Sequence, residues 1–238
     1  MHISIVGTGR AGSSFFRALS GQGHVVTLVR HDDLRDPPDS ALVLLCVPDD
    51  AISGVSRQLE PRTERVVAHV AGSRTLEVLA PHPRVASMHP LVALPSSERG
   101  APRLLGATYC VAGDELIGDV VASLGGRVIR LADDRRTAYH ATAAVAANHF
   151  VALLGHVQNL AQAAGLTLDD FLPLARQALA DVTDLGPYAA LTGPASRGDM
   201  ATIDAHLEAI PESERSTYVA LANAACELAE RRRSQSLA

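Results

Sequence analysis

Near its start the chain reads Gly7-Thr8-Gly9-Arg10-Ala11-Gly12, directly after a short stretch carrying Ile3, Ile5 and Val6. Glycines at the first, third and sixth positions suit a turn that seats a pyrophosphate. Gly7 permits the tight turn and Gly9 lets the backbone approach the anion. Gly12 lets a following helix sit close to the strand, with its first N–H groups aimed at the phosphates. A strand is expected before the turn and a helix over residues 13–19 after it, the context that gives the spacing meaning. The expectation is a dinucleotide site; the plain alternative is a glycine-rich turn in some other α/β domain.

Other residues have types suited to chemistry beside such a site. His89 stands where an expected strand, residues 85–88, runs into His89-Pro90-Leu91. An imidazole there is able to give or take the proton that accompanies hydride transfer, or simply to bond local backbone. His140 and Asn148 are polar residues on an alanine- and valine-rich helical stripe, within an ~80° arc. Their rise of ~12 Å keeps them from touching one reacting atom. Asn148 would orient a carbonyl and His140 would meet the far end of a substrate, unless both are satisfied interface groups. Arg197, in Arg197-Gly198-Asp199, has the fork that clamps a carboxylate; Asp199 is placed to cap the next helix, and the two residues are equally able to pair with each other. His149 and His156 lie on the opposite side of the helix from His140, at a spacing that is not a metal-ligand spacing, and no metal site is expected.

Cofactor choice rests on the end of the second strand, residues 24–29. An NAD site would carry an acidic residue there; this chain has Arg30 and His31. A guanidinium grips a 2′-phosphate that a carboxylate would repel. NADP is therefore favoured, while Asp32 and Asp33 leave NAD open and Arg30 also reads as a solvated strand-end charge. Val47 and Pro48, closing the third strand at residues 41–47, should lie beside the cofactor at the carboxyl edge of a parallel sheet.

The elements that must hold these residues fall into two halves. Up to residue 132, apolar runs at 3–6, 24–29, 41–47, 66–70, 85–88, 109–112 and 127–131 read as strands of a mostly parallel, Rossmann-like sheet. From Asp133 on, no strand pattern recurs. One helix is expected from there to Gly165, then helices over 167–181, 183–191, 199–209 and 212–231, with 231–238 as a frayed tail. The expected domains are 1–132, binding the dinucleotide, and 133–238, all-helical, carrying substrate contacts and a homodimer contact.

Composition narrows the classes. The chain has 238 residues, is 47% hydrophobic and 3% aromatic, and carries a net charge of −5. That balance argues against a nucleic-acid surface. All 21 basic residues are arginine. With no lysine there is no Schiff-base chemistry and no Walker-type phosphate loop. Cys46, Cys110 and Cys226 are too scattered for a disulfide framework or a metal site. No signal peptide precedes the first strand, and no apolar run reaches ~18 residues; the expected location is the cytoplasm, with a small-molecule substrate and no membrane or nucleic-acid partner.

Taken together, these marks resemble a bacterial family that joins a Rossmann-like N-terminal domain to a helical C-terminal domain of unknown function. The marks are Gly7-x-Gly9-x-x-Gly12, Val47-Pro48-Asp49, His89-Pro90-Leu91, Tyr139-His140-Ala141 through Asn148-His149, Leu191-Thr192-Gly193-Pro194 with Arg197-Gly198-Asp199, and His206. The layout is similar to that of ketopantoate reductase, pyrroline-5-carboxylate reductase and 6-phosphogluconate dehydrogenase. The resemblance implies a dimeric, NADP-linked reductase of a small oxo-acid such as ketopantoate, or of an imine. Two departures stand out. The related dehydrogenases have a catalytic lysine one turn before the helix asparagine, where this chain has Ala144, so the acid would be His89 or His140. The Ser-Gly found after the family's fourth strand is Ala71-Gly72 here. Two other readings stay open: an NADP(H)-sensing protein without turnover, and hydride exchange with a deazaflavin.

Overall fold

The computed structural model describes residues 1–34, 36, 37 and 39–235. Seven strands form one sheet: β1 (His2–Val6), β2 (Val25–Val29), β3 (Leu42–Leu45), β4 (Val66–His69), β5 (Val85–Pro90), β6 (Thr108–Gly113) and β7 (Arg127–Arg130). Their order is β2-β1-β3-β4-β5-β6-β7. Strands β1 to β5 run parallel, β6 returns antiparallel to β5, and β7 runs parallel with β6. This is a mostly parallel, Rossmann-like sheet. Its order reverses at β1, which pairs with β2 on one edge and β3 on the other, so Ile3 lies between Val26 and Leu42. Ligand crevices in such sheets open at the carboxyl ends of the strands where the order reverses.

Burial on both faces explains the near-continuous apolar strands. Ile3, Ile5, Leu42 and Leu44 pack with Phe15 and Leu19 of α1 (Arg10–Gly21) on one face. Val43, Leu45 and Val67 pack with Ile52 and Val55 of α2 (Ile52–Ser56) on the other. Helix α3 (Ser97–Leu104), capped by Ser96 and lying against α1, was not expected from the sequence. It holds Gly100 and Pro102, both poor helix formers, so propensity does not mark it. Helix α4 (Leu116–Ser123) joins β6 to β7.

The expected single helix from Asp133 to Gly165 is divided into pieces. A 3₁₀ turn (Asp133–Arg135) leads into α5 (Arg136–Ala144), a π-helical turn (Val145–His149) and α6 (Phe150–Ala163). Packing divides the chain at Ala147/Asn148, later than the change of pattern at Ala132/Asp133. The reason is that α5 is anchored to the sheet by a buried arginine, described below.

The helical unit holds α6, α7 (Leu168–Ala190), α8 (Gly193–Arg197), α9 (Met200–Ala209) and α10 (Glu212–Gln235). The two helices expected over 167–181 and 183–191 are both present within α7, but they part at Gly186 (φ 76°), just before Pro187, rather than at residue 182. His156 Nδ1 lies 2.5 Å from Glu214 Oε2, and Asn159 donates to the same carboxylate at 2.9 Å, tying α6 to α10. Of the expected tail, residues up to 235 are helical; 236–238 lie outside the described residues. Among the described residues no helix is long and apolar enough to cross a membrane.

Candidate functional site

Each glycine of the first turn has a distinct steric reason. Gly7 has φ +112°, and a Cβ there would strike the Cys46 carbonyl at the end of β3. A Cβ on Gly12 would strike the Gly7 carbonyl oxygen. Gly9 has no heavy atom within 4 Å of its would-be Cβ and stands exposed as the N-cap of α1. That cap carries no side-chain hydrogen bond, and the first turn has no acidic residue, so the helix's first N–H groups remain for an outside acceptor. The Ser13 hydroxyl donates to the Thr8 carbonyl (2.9 Å) and that of Ser14 to the Arg10 carbonyl (2.6 Å), which stiffens the turn. Val47 packs against the Gly7 position and Pro48 follows, exposed, at the same sheet edge. Two tight glycines around one open one, at the point where the strand order reverses, fit a pyrophosphate.

Arg30 is exposed just past β2 and forms a two-point pair with Asp32, Nε–Oδ1 3.0 Å and Nη2–Oδ2 2.5 Å. His31, also exposed, begins the short turn that carries Asp32 and Asp33. The same carboxylates that left NAD open in the sequence therefore hold the arginine.

A second cluster forms where β4 and β5 end and α5 begins. The Nδ1 of His89 lies 2.8 Å from the Tyr139 hydroxyl, and its ring meets the His140 ring edge-on with centroids 5.6 Å apart. Both imidazoles press on Gly72, where a Cβ would stand 3.0 Å from His89 Nε2 and would collide with His140 Nδ1. Only a residue without a side chain fits there. Behind them Arg136, fully buried, donates to Ser87 Oγ (2.6 Å) and to the Ala71 carbonyl (2.8 Å). Asp133 stands 3.8 Å from the guanidinium and accepts from the Leu76 N–H at 2.8 Å. Of these residues the sequence reading singled out His89 and His140. Gly72 was noted only as a departure from a pattern, Tyr139 only as a motif neighbour and Arg136 not at all. The one available signal was an arginine placed three residues before Tyr139-His140.

Burial, with His140 and Arg136 adding to it, pushes the His89 pKa down to about 4. Burial and Arg136 do the same to His69, at the end of β4, also to about 4. Both imidazoles are neutral at pH 7. In the unfolded chain each would titrate near the ordinary value of 6.5. Between 6.5 and 4 the unfolded state therefore binds more protons, so stability is complete above pH 6.5 and is lost as pH falls toward 4. Urea midpoints measured from pH 7 to pH 4 should fall accordingly, and His69→Gln should flatten the slope. A pH-independent midpoint across that window would contradict the assignment.

The remaining candidates lie in the helical unit. Asn148 is exposed in the π-helical turn. Arg197 is exposed at the end of α8, next to Gly198 in the left-handed conformation. Asp199 caps α9, accepting from Thr202 N (3.1 Å) and Thr202 Oγ1 (2.7 Å). Those bonds, with Arg197 adding, hold its carboxyl below the usual range. His206 is tied to the Tyr218 hydroxyl at 2.7 Å. Among the described residues no group of three His, Cys, Asp or Glu is placed to hold a metal.

Comparison with the curated proteins found no match. The sequence profile of a domain of unknown function, DUF2520, matches residues 108–225. The matched stretch begins in β6 and ends in α10, and contains Arg136, Tyr139, His140, Asn148, Arg197 and Asp199, in agreement with the resemblance read from the motifs. Among solved structures, a Bacteroides fragilis protein described as an NADP oxidoreductase is similar with a TM-score of 0.77 and 21% identity, over 95% of this chain and 98% of that one. A reductive aminase from Aspergillus terreus, in complex with NADPH and ethyl-5-oxohexanoate, gives 0.68 at 15% identity, over 95% and 93%. Pyrroline carboxylate reductase from Plasmodium falciparum, with NADP bound, gives 0.61 at 12%, over 98% of both chains. At these identities the likeness is one of fold.

Proposed function

We propose that this chain is an NADP-dependent reductase of a small oxo-acid or imine. The observation that carries the reading is a pair of features on one sheet edge: the glycine turn after β1, and the partly exposed, neutral His89 at the end of β5. The NADP found in solved structures of this fold supports the cofactor. Gly7 to Gly12, with Thr8, Arg10 and Ala11, hold the pyrophosphate, and Val47 and Pro48 line the edge beside it. Arg30 and His31 take the 2′-phosphate once Arg30 leaves Asp32; where it stays paired, the site accepts NAD. When bound, the reduced nicotinamide supplies a hydride.

The chain's own part is the proton. His89 or His140 gives it to the oxygen or nitrogen that the hydride makes basic. An imine has to be protonated before the hydride arrives, which a histidine titrating near 4 does poorly at pH 7. A forming alkoxide can be stabilised by a hydrogen bond from a neutral N–H without the imidazole first being protonated, so the site favours the oxo-acid. Asn148 and Arg197 enter this reading as the groups that orient the substrate and hold its carboxylate. A homodimer through the helical unit is part of it too. Its support is Leu174, Leu179 and Leu185 of α7, all more than half exposed at 64%, 57% and 61%.

The test is consumption of NADPH by the purified protein with a panel of 2-oxo acids and cyclic imines. Oxidation with an oxo-acid is expected, and Arg30→Ser should narrow the preference for NADPH over NADH. Tight NADP(H) binding with no turnover on any substrate would instead mark a nucleotide-sensing protein.

A further inference from the structure

Tyr139 projects from α5 with its hydroxyl on His89 Nδ1 at 2.8 Å and its ring edge-on to the imidazole. The same hydroxyl stands close enough to the Cys110 thiol for each to influence the other's titration. Cys110 is fully buried on β6 and is the register partner of His89 on β5. A phenol has one proton to give. Of its two neighbours, an imidazole nitrogen is a strong acceptor and a thiol a weak one. The Tyr139 O–H therefore donates to His89 Nδ1. A neutral His89 must then carry its own proton on Nε2, since the hydrogen bond at one ring nitrogen sets the state of the other. Nε2 is the atom that faces Gly72, where the absence of a side chain leaves it uncovered.

The geometry points to Tyr139 as a positioning residue that fixes His89 as the Nε2–H tautomer, turning the imidazole's single proton away from β6 and past Gly72. The titratable and charged groups near His89 are His140 and Arg136 on α5 and Asp49 in the loop after β3. None competes for Nδ1. The consequence for turnover rests on the reductase reading; the tautomer is a property of the chain alone.

The test is long-range ¹H–¹⁵N NMR at pH 7 on histidine-labelled, nucleotide-free protein, with the signal assigned through His89→Asn. His89 should show a protonated Nε2 and an unprotonated, hydrogen-bonded Nδ1. In Tyr139→Phe the Nδ1 resonance should move toward that of a free imidazole, and the minor Nδ1–H form should reappear. A wild-type His89 protonated on Nδ1, or a signal unmoved in Tyr139→Phe, overturns the proposal. In turnover, the same variant should lose about tenfold in kcat with KM unchanged; a rise in KM with kcat intact would also overturn it. If the NMR behaves as expected and no substrate is reduced, the reductase reading fails and the tautomer assignment stands.

Discussion

Replacing Gly12 with alanine should remove nucleotide binding and cost about 1–3 kcal/mol of stability, as overpacking does. The new methyl has no room. It would meet the carbonyl oxygen of Gly7 and then the Cys46 side chain, and a backbone carbonyl cannot rotate aside as a long side chain would. Either α1 slides away from β1 or the turn opens, and each movement takes the helix's first N–H groups from the place where they converge. Gly9→Ala separates the two effects. Gly9 has φ −68° and no heavy atom within 4 Å of a Cβ, so alanine is tolerated and stability should stay within ~0.5 kcal/mol. The methyl would nonetheless stand where a pyrophosphate approaches, and NADPH affinity should fall by about tenfold or more, the value of one charge-assisted hydrogen bond. Thermal unfolding and nucleotide titration of both variants decide it. Gly12→Ala binding NADPH like the wild type, or Gly9→Ala binding undiminished, would place the cofactor elsewhere.

This turn was legible because its signal is local. Six consecutive residues, an apolar run before them and helix formers after them contain the whole geometry. The parallel strands were legible for a related reason: burial on both faces leaves runs such as Leu42–Leu45 with no polar interruption. The return direction of β6 was not, because an apolar run is the same read either way. The π-helical turn at Val145–His149 also left no mark, since an alanine-rich segment has no residue that announces a change of hydrogen-bond register. The histidine cluster was half legible. His89 and His140 have chemical types that draw attention, whereas what surrounds them depends on which strand ends meet. Gly72 and Tyr139 matter only through contacts with residues 17 to 68 positions away in sequence.

Arg136 is the extreme case, and the largest stability effect is expected there. In sequence it is one arginine among several after two aspartates, the composition of a solvated helix start. In the fold it is fully buried, with one guanidinium nitrogen on Ser87 of β5 and another on the carbonyl of Ala71 after β4. Arg136→Met keeps most of the volume and removes the donors. Ser87 Oγ and the Ala71 carbonyl then lose their partner, Asp133 loses its cation, and α5 is held by packing alone. Losing one partner of such a buried arrangement costs about 3–5 kcal/mol, which in a chain of this size lowers Tm by roughly 10 °C. A second readout follows from charge. Arg136 is one of the groups that hold the His89 pKa down, so the variant should titrate His89 closer to the ordinary histidine value. Arg136→Lys keeps the charge with a single donor head; it should hold His89 low while recovering only part of the stability. Calorimetry and NMR titration of the three proteins separate these effects. An Arg136→Met protein that melts with the wild type would show that the guanidinium is not what holds α5 to the sheet. If His89 titrates unchanged in that protein, burial and His140 alone set its neutrality.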